Sequence, residues 1–162
     1  MSVELERGEL DQLALSWRAA WQGAGFEACC TPDVAYEDPV AVDPLRGIDA
    51  LDRHAVVLRA AFPDLRVEAT APPLGRGTHA CVPWRAVGTH RGDIGSLPAT
   101  DRFVTLHGLH YLELTDGAVR RARGFFDLYD AATQLGLLPT RGGLGETALL
   151  MLRGFGLRRR PE

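Results

Sequence analysis

Two side chains in this sequence, His110 and Asp38, have types and positions suited to proton transfer. An imidazole with its ordinary pKa of about 6.5 can give or take a proton near neutral pH. A carboxyl group becomes a usable base when burial raises its pKa above about 3.9. The pair therefore predicts general acid/base chemistry.

The local patterns around these two residues give their orientation and leave structural alternatives open. The segment 104–114 alternates apolar and polar residues, so it predicts a strand whose mostly apolar, concave face carries His110. Asp38 ends an extended segment before Pro39 and shares a face with Tyr36. His110 could instead be a core histidine bound to a backbone carbonyl, and Asp38 could cap the turn at Pro39.

Other kinds of catalysis find little support in the motifs. The sequence has no Gly-x-Ser-x-Gly, no Gly-x-Gly-x-x-Gly and no His/Cys/Asp cluster with metal spacing. Cys29, Cys30 and Cys81 lack the Cys-x-x-Cys spacing of a zinc or redox site, so they are interpreted as buried free thiols. We expect neither a cofactor nor a metal.

Composition limits the class of protein. A chain of 162 residues with 46% hydrophobic and 24% charged residues is typical of one globular domain. The net charge of −3 makes nucleic acid an unsuitable partner. No apolar run approaches the roughly 20 residues of a spanning helix, and the acidic N-terminus lacks the positive region of a signal peptide. We expect a cytoplasmic protein without a membrane partner.

The elements that must position these groups follow from hydrophobic periodicity. Spacings of three and four predict a first helix with an apolar stripe and a later helix that ends at Pro63. A short second helix is predicted at Phe26–Cys30. Two-residue alternation then predicts strands around Val67, Trp84 and His110, and Asp116-Gly117 predicts a hairpin turn. Helices followed by antiparallel strands indicate an α+β domain with helices on one face of a curved sheet.

Several motifs, in one order along most of the chain, resemble the SnoaL-like polyketide cyclases of the nuclear transport factor two-like superfamily. They are Asp38-Pro39, Ala61-Phe62-Pro63-Asp64-Leu65, Gly88-Thr89-His90-Arg91-Gly92, Leu97-Pro98-Ala99-Thr100, Asp116-Gly117 and Gln134-Leu135-Gly136. The resemblance implies a single cone-shaped domain, in which a strongly curved, mostly antiparallel sheet wraps around the N-terminal helices and a central apolar pocket. It also implies ring closure of a polyketide by aldol condensation, without cofactor or metal.

The sequence matches the family at one of its two catalytic positions and differs from it at the other. The family's histidine, six residues before the Asp-Gly turn, corresponds to His110. Its acid/base aspartate, eight residues after the aspartate of that turn, corresponds to Gly124, beside the matching Arg123. We expect Gly124 either to enlarge the cavity together with Ala122 or to mark a bulge in the strand.

Asp38 is the predicted replacement for the missing carboxylate, with a pKa raised by neighbouring tryptophans. Asp127 is expected to cap a helix that begins near Leu128, although it is also included among the predicted binding residues. His54 faces the cavity or the core, and His90 is expected to shape a loop. The predicted substrate-binding residues are Tyr36, Trp17, Trp21, His54, Trp84, Leu112, Gly124, Phe126 and Asp127.

The function favoured by these features is a cyclase of secondary metabolism that closes a ring in a hydrophobic, polyketide-like small molecule by acid/base catalysis through His110 and Asp38 and by holding the substrate in a folded conformation. We expect this step to differ from the family's standard aldol step, because Gly124 replaces the usual aspartate. An isomerase, hydratase or epoxide-opening enzyme on a similar ligand remains an alternative, as does a non-catalytic binding module. A homodimer is expected because Leu109 and Tyr111 would otherwise be exposed on the convex face.

The domain is predicted to span residues 1–140. For the extension, residues 141–162, we expect either a short helix at the pocket mouth or subunit contact, or a frayed basic tail.

Overall fold

The first helix forms on the predicted apolar stripe. The computed structural model describes residues 7–41 and 43–153. Helix α1 (Arg7–Ala19) buries Leu10, Leu13, Ala14 and Trp17. Its end widens into a π-helical turn, Ala20–Ala24, which carries Trp21. The backbone oxygen of Trp21 accepts a hydrogen bond from Arg59 at 3.2 Å, which satisfies a carbonyl near the end of the helix.

The remaining elements follow in a fixed order. A single 3₁₀ turn, Phe26–Ala28, replaces the predicted helix at Phe26–Cys30, because Cys30 already begins a strand. The other elements are β1 (Cys30–Glu37), β2 (Leu45–Arg46), α2 (Ile48–Ala61), β3 (Arg66–Ala69), β4 (Leu74–Arg76), β5 (His79–Thr89), β6 (Phe103–Thr115), β7 (Ala118–Phe126), α3 (Leu128–Gln134) and α4 (Leu144–Leu152).

The strands form one mixed sheet that curls around the helices. Their order is β2-β1-β7-β6-β5-β3, and β4 pairs with the outer part of β5. Every pairing is antiparallel except that of β1 with β7. One hydrophobic core joins α1 and α2 to the inward residues of β1, β5, β6 and β7. The predicted α+β architecture with a mostly antiparallel sheet is confirmed.

The hairpin between β6 and β7 has the predicted turn. Asp116 and Gly117 have φ angles of 50° and 79°. A two-residue turn with positive φ at both positions matches the twist of antiparallel strands, and glycine adopts this conformation without steric cost. Along β6 the side chains alternate between the two faces, so His110 faces inward and Leu109 faces outward as expected.

The C-terminal extension contains the predicted short helix, but that helix lies away from the pocket. No residue of α4 is buried, and none lines the central cavity. The predicted basic tail, Arg158 to Arg160, lies outside the described residues. Within the described ranges, no helix is long and apolar enough to cross a membrane.

Candidate active site

A cavity of about 290 Å³ lies between the concave face of the sheet, α2 and α3. Apart from two tryptophan indoles, the polar side chains on its wall are Tyr36, Asp38 and His110. Hydrophobic walls with a few convergent polar groups are typical of sites for small organic molecules. The three polar residues are therefore the candidate reactive groups of the described chain.

The register of three strands brings these groups together. Strand β7 lies between β1 and β6, with Tyr36 beside Ala122 and His110 beside Gly124. A Cβ atom at Gly124 would lie 2.8 Å from the Tyr36 hydroxyl oxygen and 3.2 Å from the Asp38 Cβ. The glycine thus lets a side chain from β1 reach across β7 toward β6.

This geometry corrects both expectations for Gly124. The residue does not line the cavity, because Tyr36 and Asp38 occupy the space above it. It does not mark a bulge either, since it pairs directly with His110; the register shift in this hairpin lies between Glu113 and Leu114.

The three polar residues form one hydrogen-bonded chain. The Tyr36 hydroxyl donates its proton to Asp38 Oδ2 at 3.0 Å, and its oxygen lies 3.4 Å from His110 Nε2. Because the only hydroxyl hydrogen of Tyr36 is already donated to the carboxylate, the Tyr36 oxygen accepts at this longer contact and His110 Nε2 is the donor. In the neutral ring Nδ1 is then the acceptor, and it has no hydrogen-bond partner among the described residues.

Asp38 is held by four donors. Its Oδ1 accepts hydrogen bonds from the backbone nitrogens of Val40 and Ala41, both at 2.7 Å. Its Oδ2 accepts from Tyr36 and lies 2.9 Å from His54 Nε2. A carboxylate offers about four acceptor positions, so this one has little capacity left for a substrate.

The expected rise in the pKa of Asp38 is wrong. Burial alone would raise the pKa, but the hydrogen bond and charge of His54, together with the amides of Ala41 and Val40, hold the pKa of Asp38 below its usual value. Asp38 is thus ionised at neutral pH. The predicted turn-capping role is present as well, through Oδ1.

His110 is enclosed by three indole rings. Its ring centroid lies 5.4 Å from those of Trp17, Trp21 and Trp84, and the Trp21 ring is nearly parallel to it at 4°. This burial lowers the pKa of His110 to about 3, although the charge of Asp38 opposes the shift. The ordinary pKa expected from the residue type is not retained, and the ring is neutral at physiological pH.

Some of the predicted binding residues line the cavity, and others are buried in the hydrophobic core behind it. Tyr36, Trp21, Trp84 and Phe126 line the cavity. Trp17 and Leu112 do not line it, because both are fully buried in the core. The Trp17 ring packs edge-on against His110 there.

Two other predicted binding residues lie off the cavity wall. His54 stands behind Asp38, with its side chain 12% exposed. Asp127 is exposed and caps α3 by accepting a hydrogen bond from the Asp130 nitrogen at 2.9 Å. The expected cap is therefore present, and Asp127 does not line the cavity.

Sequence reasoning missed one glycine that shapes the cavity wall. A Cβ at Gly108 would lie 2.4 Å from Trp84 Cζ2, so only glycine lets this indole pack directly against β6. A glycine inside a strand is the signal that could have indicated such a close approach.

The Gly88-to-Gly92 motif is structural, as expected for His90. The His90 side chain is fully buried, and its Nδ1 accepts a hydrogen bond from the Thr100 nitrogen at 3.2 Å. A Cβ at Gly92 would lie 2.4 Å from the Ala60 carbonyl oxygen, so this glycine allows the loop to pack on the end of α2. Across residues 7–41 and 43–153, no group of three His, Cys, Asp or Glu side chains is placed to hold a metal ion.

Comparison with known proteins agrees with this architecture. The sequence profile of the SnoaL-like polyketide cyclases matches residues 11–135, more than half of the chain. The solved structure of TsrD from Streptomyces laurentii is 25% identical, with a TM-score of 0.74 over 83% of this chain and 100% of TsrD. No protein with a curated description matches the chain.

Two further solved structures, both under 25% identical, show the shared fold alone. AclR from Streptomyces galilaeus, described as a candidate hydroxylase, is 20% identical, with a TM-score of 0.70 over 92% of this chain and 94% of AclR. IdmH from Streptomyces antibioticus, described as a candidate polyketide cyclase, is 18% identical, with a TM-score of 0.65 over 77% of this chain and 96% of IdmH.

Proposed function

The chain belongs to the SnoaL-like polyketide cyclase family, and on this premise we propose that it is an enzyme of secondary metabolism that closes a ring in an apolar, oxygenated substrate. The supporting observation is that the three polar groups of the cavity wall form one chain, from the Asp38 carboxylate through Tyr36 to His110. An apolar cavity with a single hydrogen-bonded chain suits a reaction in which one proton moves.

The proposed base is Nδ1 of neutral His110. It takes a proton from a carbon next to a carbonyl, and the electron pair of that C–H bond forms an enolate. The enolate carbon then bonds to an electrophilic carbonyl carbon of the same molecule. The bond formed is thus that of an aldol closure, and the base, His110, is what differs from the family's aspartate. His110 returns the proton to the resulting alkoxide, so the protein ends the cycle unchanged.

The tyrosine and the carboxylate support this step by position and charge. As His110 becomes an imidazolium, its Nε2–H bond to Tyr36 strengthens, and the negative charge of Asp38 lies one hydroxyl away. The low pKa of His110 means that the imidazolium returns its proton readily. It also favours an acidic C–H, such as one flanked by two carbonyls.

Asp38 therefore takes a different role from the one expected. With four donors around it, we assign it the positioning of Tyr36 and a fixed negative charge, and not proton transfer with the substrate. The apolar walls contribute by holding the chain in a folded, reactive conformation.

A second candidate function is a non-catalytic binding module for a small apolar molecule. One observation favours it: the saturated Asp38 and the low pKa of His110 leave neither of the two predicted catalytic groups titrating near neutral pH. Such a protein would bind in the same cavity but would not accelerate proton transfer.

Proton exchange with a model ketone separates the two. We expect the wild-type protein to accelerate the exchange of C1 hydrogens of 2-tetralone for deuterium in D₂O, followed by NMR. His110→Gln should reduce the protein-catalysed rate by about 100-fold or more. His79→Gln, which alters an exposed histidine of the outer face, is the matched control and should keep the rate. No acceleration by the wild type over buffer would favour the binding module.

The outer face of the sheet supports the proposal of a homodimer. Leu109 and Phe125 are 37% and 47% exposed and border a shallow depression of about 610 Å³ together with Tyr111 and Arg123. An exposed apolar patch with a polar rim is typical of a protein interface. Cytoplasmic localisation and independence of metals and cofactors remain predictions from the sequence.

A further inference from the structure

The cavity extends along strand β6, and its groups Tyr36, Asp38 and His110 lie at one end. It follows the inward residues of β6 from His110 to Val104. Six residues of a strand span about 20 Å. Asp38 follows Glu37, which pairs with Arg123, so it lies near the level of Gly124 and His110. Tyr36 starts two residues away, level with Ala122, and its hydroxyl reaches His110 Nε2 at 3.4 Å.

The far end has hydrocarbon walls. Leu106 on β6 pairs with Ala86 on β5, which in turn pairs with Val67 on β3, and all three line the cavity. Helix α3 covers this end with Leu135, among other apolar residues.

The backbone at the far end is already hydrogen-bonded within the protein. Gln134 binds both the nitrogen and the oxygen of Thr105 at 2.8 Å, which fastens α3 to β6 and occupies the backbone groups of that residue. The antiparallel pairing of Ala86 with Leu106 joins β5 to β6 at the same level, so the backbone there is already part of the sheet.

The described side chains that line this far end carry no hydrogen-bonding group. Of the wall residues with an unpartnered buried donor, Trp84 pairs with Gly108, between Leu106 and His110, and Trp21 packs against His110. Thr133 Oγ1 and His90 Nε2 are also buried without a partner, but neither residue lines the cavity.

We propose that the substrate is polar at one end only: its reacting oxygens lie at the end that meets His110, and an unsubstituted hydrocarbon body, aromatic or alkyl, fills the cavity toward Val104. This inference rests on the proposed function, because it takes the His110 end as the reacting end. A hydroxyl buried without a partner loses its hydrogen bonds to water and gains none, so oxygenation of the far end opposes binding.

Two matched ligands test this without any turnover. The probes are 4-phenylphenol, with one hydroxyl, and 4,4′-dihydroxybiphenyl, with a hydroxyl at each end, and their dissociation constants are measured by isothermal titration calorimetry. We expect 4-phenylphenol to bind the wild-type protein at least about tenfold more tightly. Equal affinities would overturn the inference, and so would failure of both ligands to bind.

Variants of the far end make the test specific. Leu106→Asn and Ala86→Ser each place a hydrogen-bonding group at that end, and Ala86→Ser does so with little added volume. At least one of them should reduce the ratio of the two affinities to about threefold or less. Leu109→Asn, on the outer face of the same strand, is the control and should leave the ratio unchanged. A ratio that neither inward variant reduces would overturn the inference.

The result of this binding test can be distinguished from the result of the exchange test of the proposed function. Exchange of 2-tetralone with equal binding of the two biphenyls would refute the one-ended substrate and leave the cyclase proposal standing. The tenfold difference without any exchange would support the one-ended ligand and refute the proposed chemistry.

Discussion

Two histidine–tyrosine pairs lie on opposite faces of strand β6, and only the inner one has the surroundings of a reactive site. On the inner face, His110 Nε2 lies 3.4 Å from the Tyr36 hydroxyl. On the outer face, the next residue, Tyr111, places its hydroxyl 2.8 Å from His79 Nδ1, with the two rings stacked at 5.7 Å. The outer pair has the shorter contact, but in the single chain His79 is exposed and Tyr111 is only half-buried.

The difference lies in what surrounds each pair. Three indoles exclude water from His110, and Tyr36 connects it to the ionised Asp38. In this environment the charged form of the imidazole is destabilised and nearby charges act strongly. The comparison shows that burial and connection to a fixed charge, more than the distance between two side chains, distinguish the candidate site.

The largest expected effect is on proton transfer. His110→Gln removes the titratable nitrogen but keeps a hydrogen-bonding shape, so exchange of 2-tetralone hydrogens should fall by about 100-fold or more. His79→Gln should leave the rate within about twofold, because the outer pair does not border the cavity. If both variants lost the same fraction of the exchange rate, the inner and outer histidines would not differ in function.

The next largest effect is expected on the stability of the fold, because Gly124 leaves no room for a side chain beside Tyr36 and Asp38. Gly124→Asp places a Cβ 2.8 Å from the Tyr36 hydroxyl oxygen and buries a second carboxylate beside Asp38, so the free energy of unfolding should fall by about 3 kcal/mol. Urea denaturation at pH 7 measures it.

Gly124→Ala adds the same Cβ without the charge and should lose less stability. An aspartate variant that is as stable as the wild type and more active would show that this position accepts the family's carboxylate, which would contradict the crowding by Tyr36 and Asp38.

The third effect is the pH dependence of stability. Folding lowers the pKa of His110 from an unfolded value of about 6.5 to about 3. Below pH 6.5 the unfolded state therefore binds more protons, so this stability is complete above pH 6.5 and is lost progressively toward pH 3. From pH 7 to 5 the loss should be about 2 kcal/mol.

Denaturation midpoints of His110→Gln should lack this part of the pH dependence, whereas His79→Gln should retain it. The lowered pKa of Asp38 acts at lower pH, because its stabilisation is lost only as the pH falls from about 4 through the folded value. A wild-type protein whose stability is the same at pH 7 and 5 would contradict the buried, neutral state of His110.

A smaller effect is expected for the tyrosines. Tyr36→Phe disconnects His110 from Asp38 but leaves the base in place, so the exchange rate should fall by about tenfold. Tyr111→Phe should have no effect on the rate. An unchanged rate in Tyr36→Phe would show that the hydrogen-bonded chain does not assist the base.

The smallest effect on exchange activity is expected from a substitution in the apolar patch of Leu109 and Phe125 on the outer face of the sheet. Leu109→Asp introduces a charge into the proposed dimer interface, so light scattering should detect a monomer, whereas the wild type should have twice the 17.6 kDa chain mass. Exchange activity should change little. A wild-type protein that is monomeric at micromolar concentration would refute the dimer.

Much of the scaffold could be predicted from the sequence because its signals are local. The alternation along β6 placed His110 inside and Leu109 outside, since successive side chains of a strand face opposite sides. Asp116-Gly117 determined the hairpin because it adopts positive φ angles. The spacing of apolar residues determined α1, and the order of motifs indicated the family.

Only the tertiary structure decided the chemistry of the candidate site. The parallel pairing of β1 with β7 brought Tyr36 across Gly124 to His110, and the packing of α2 brought His54 to Asp38, across 16 positions of sequence. A pKa depends on water exclusion and on charges within a few ångströms, and residues distant in sequence supply both. The sequence by itself determined which faces the side chains occupy, and the folded contacts determined which of them are charged, neutral or saturated.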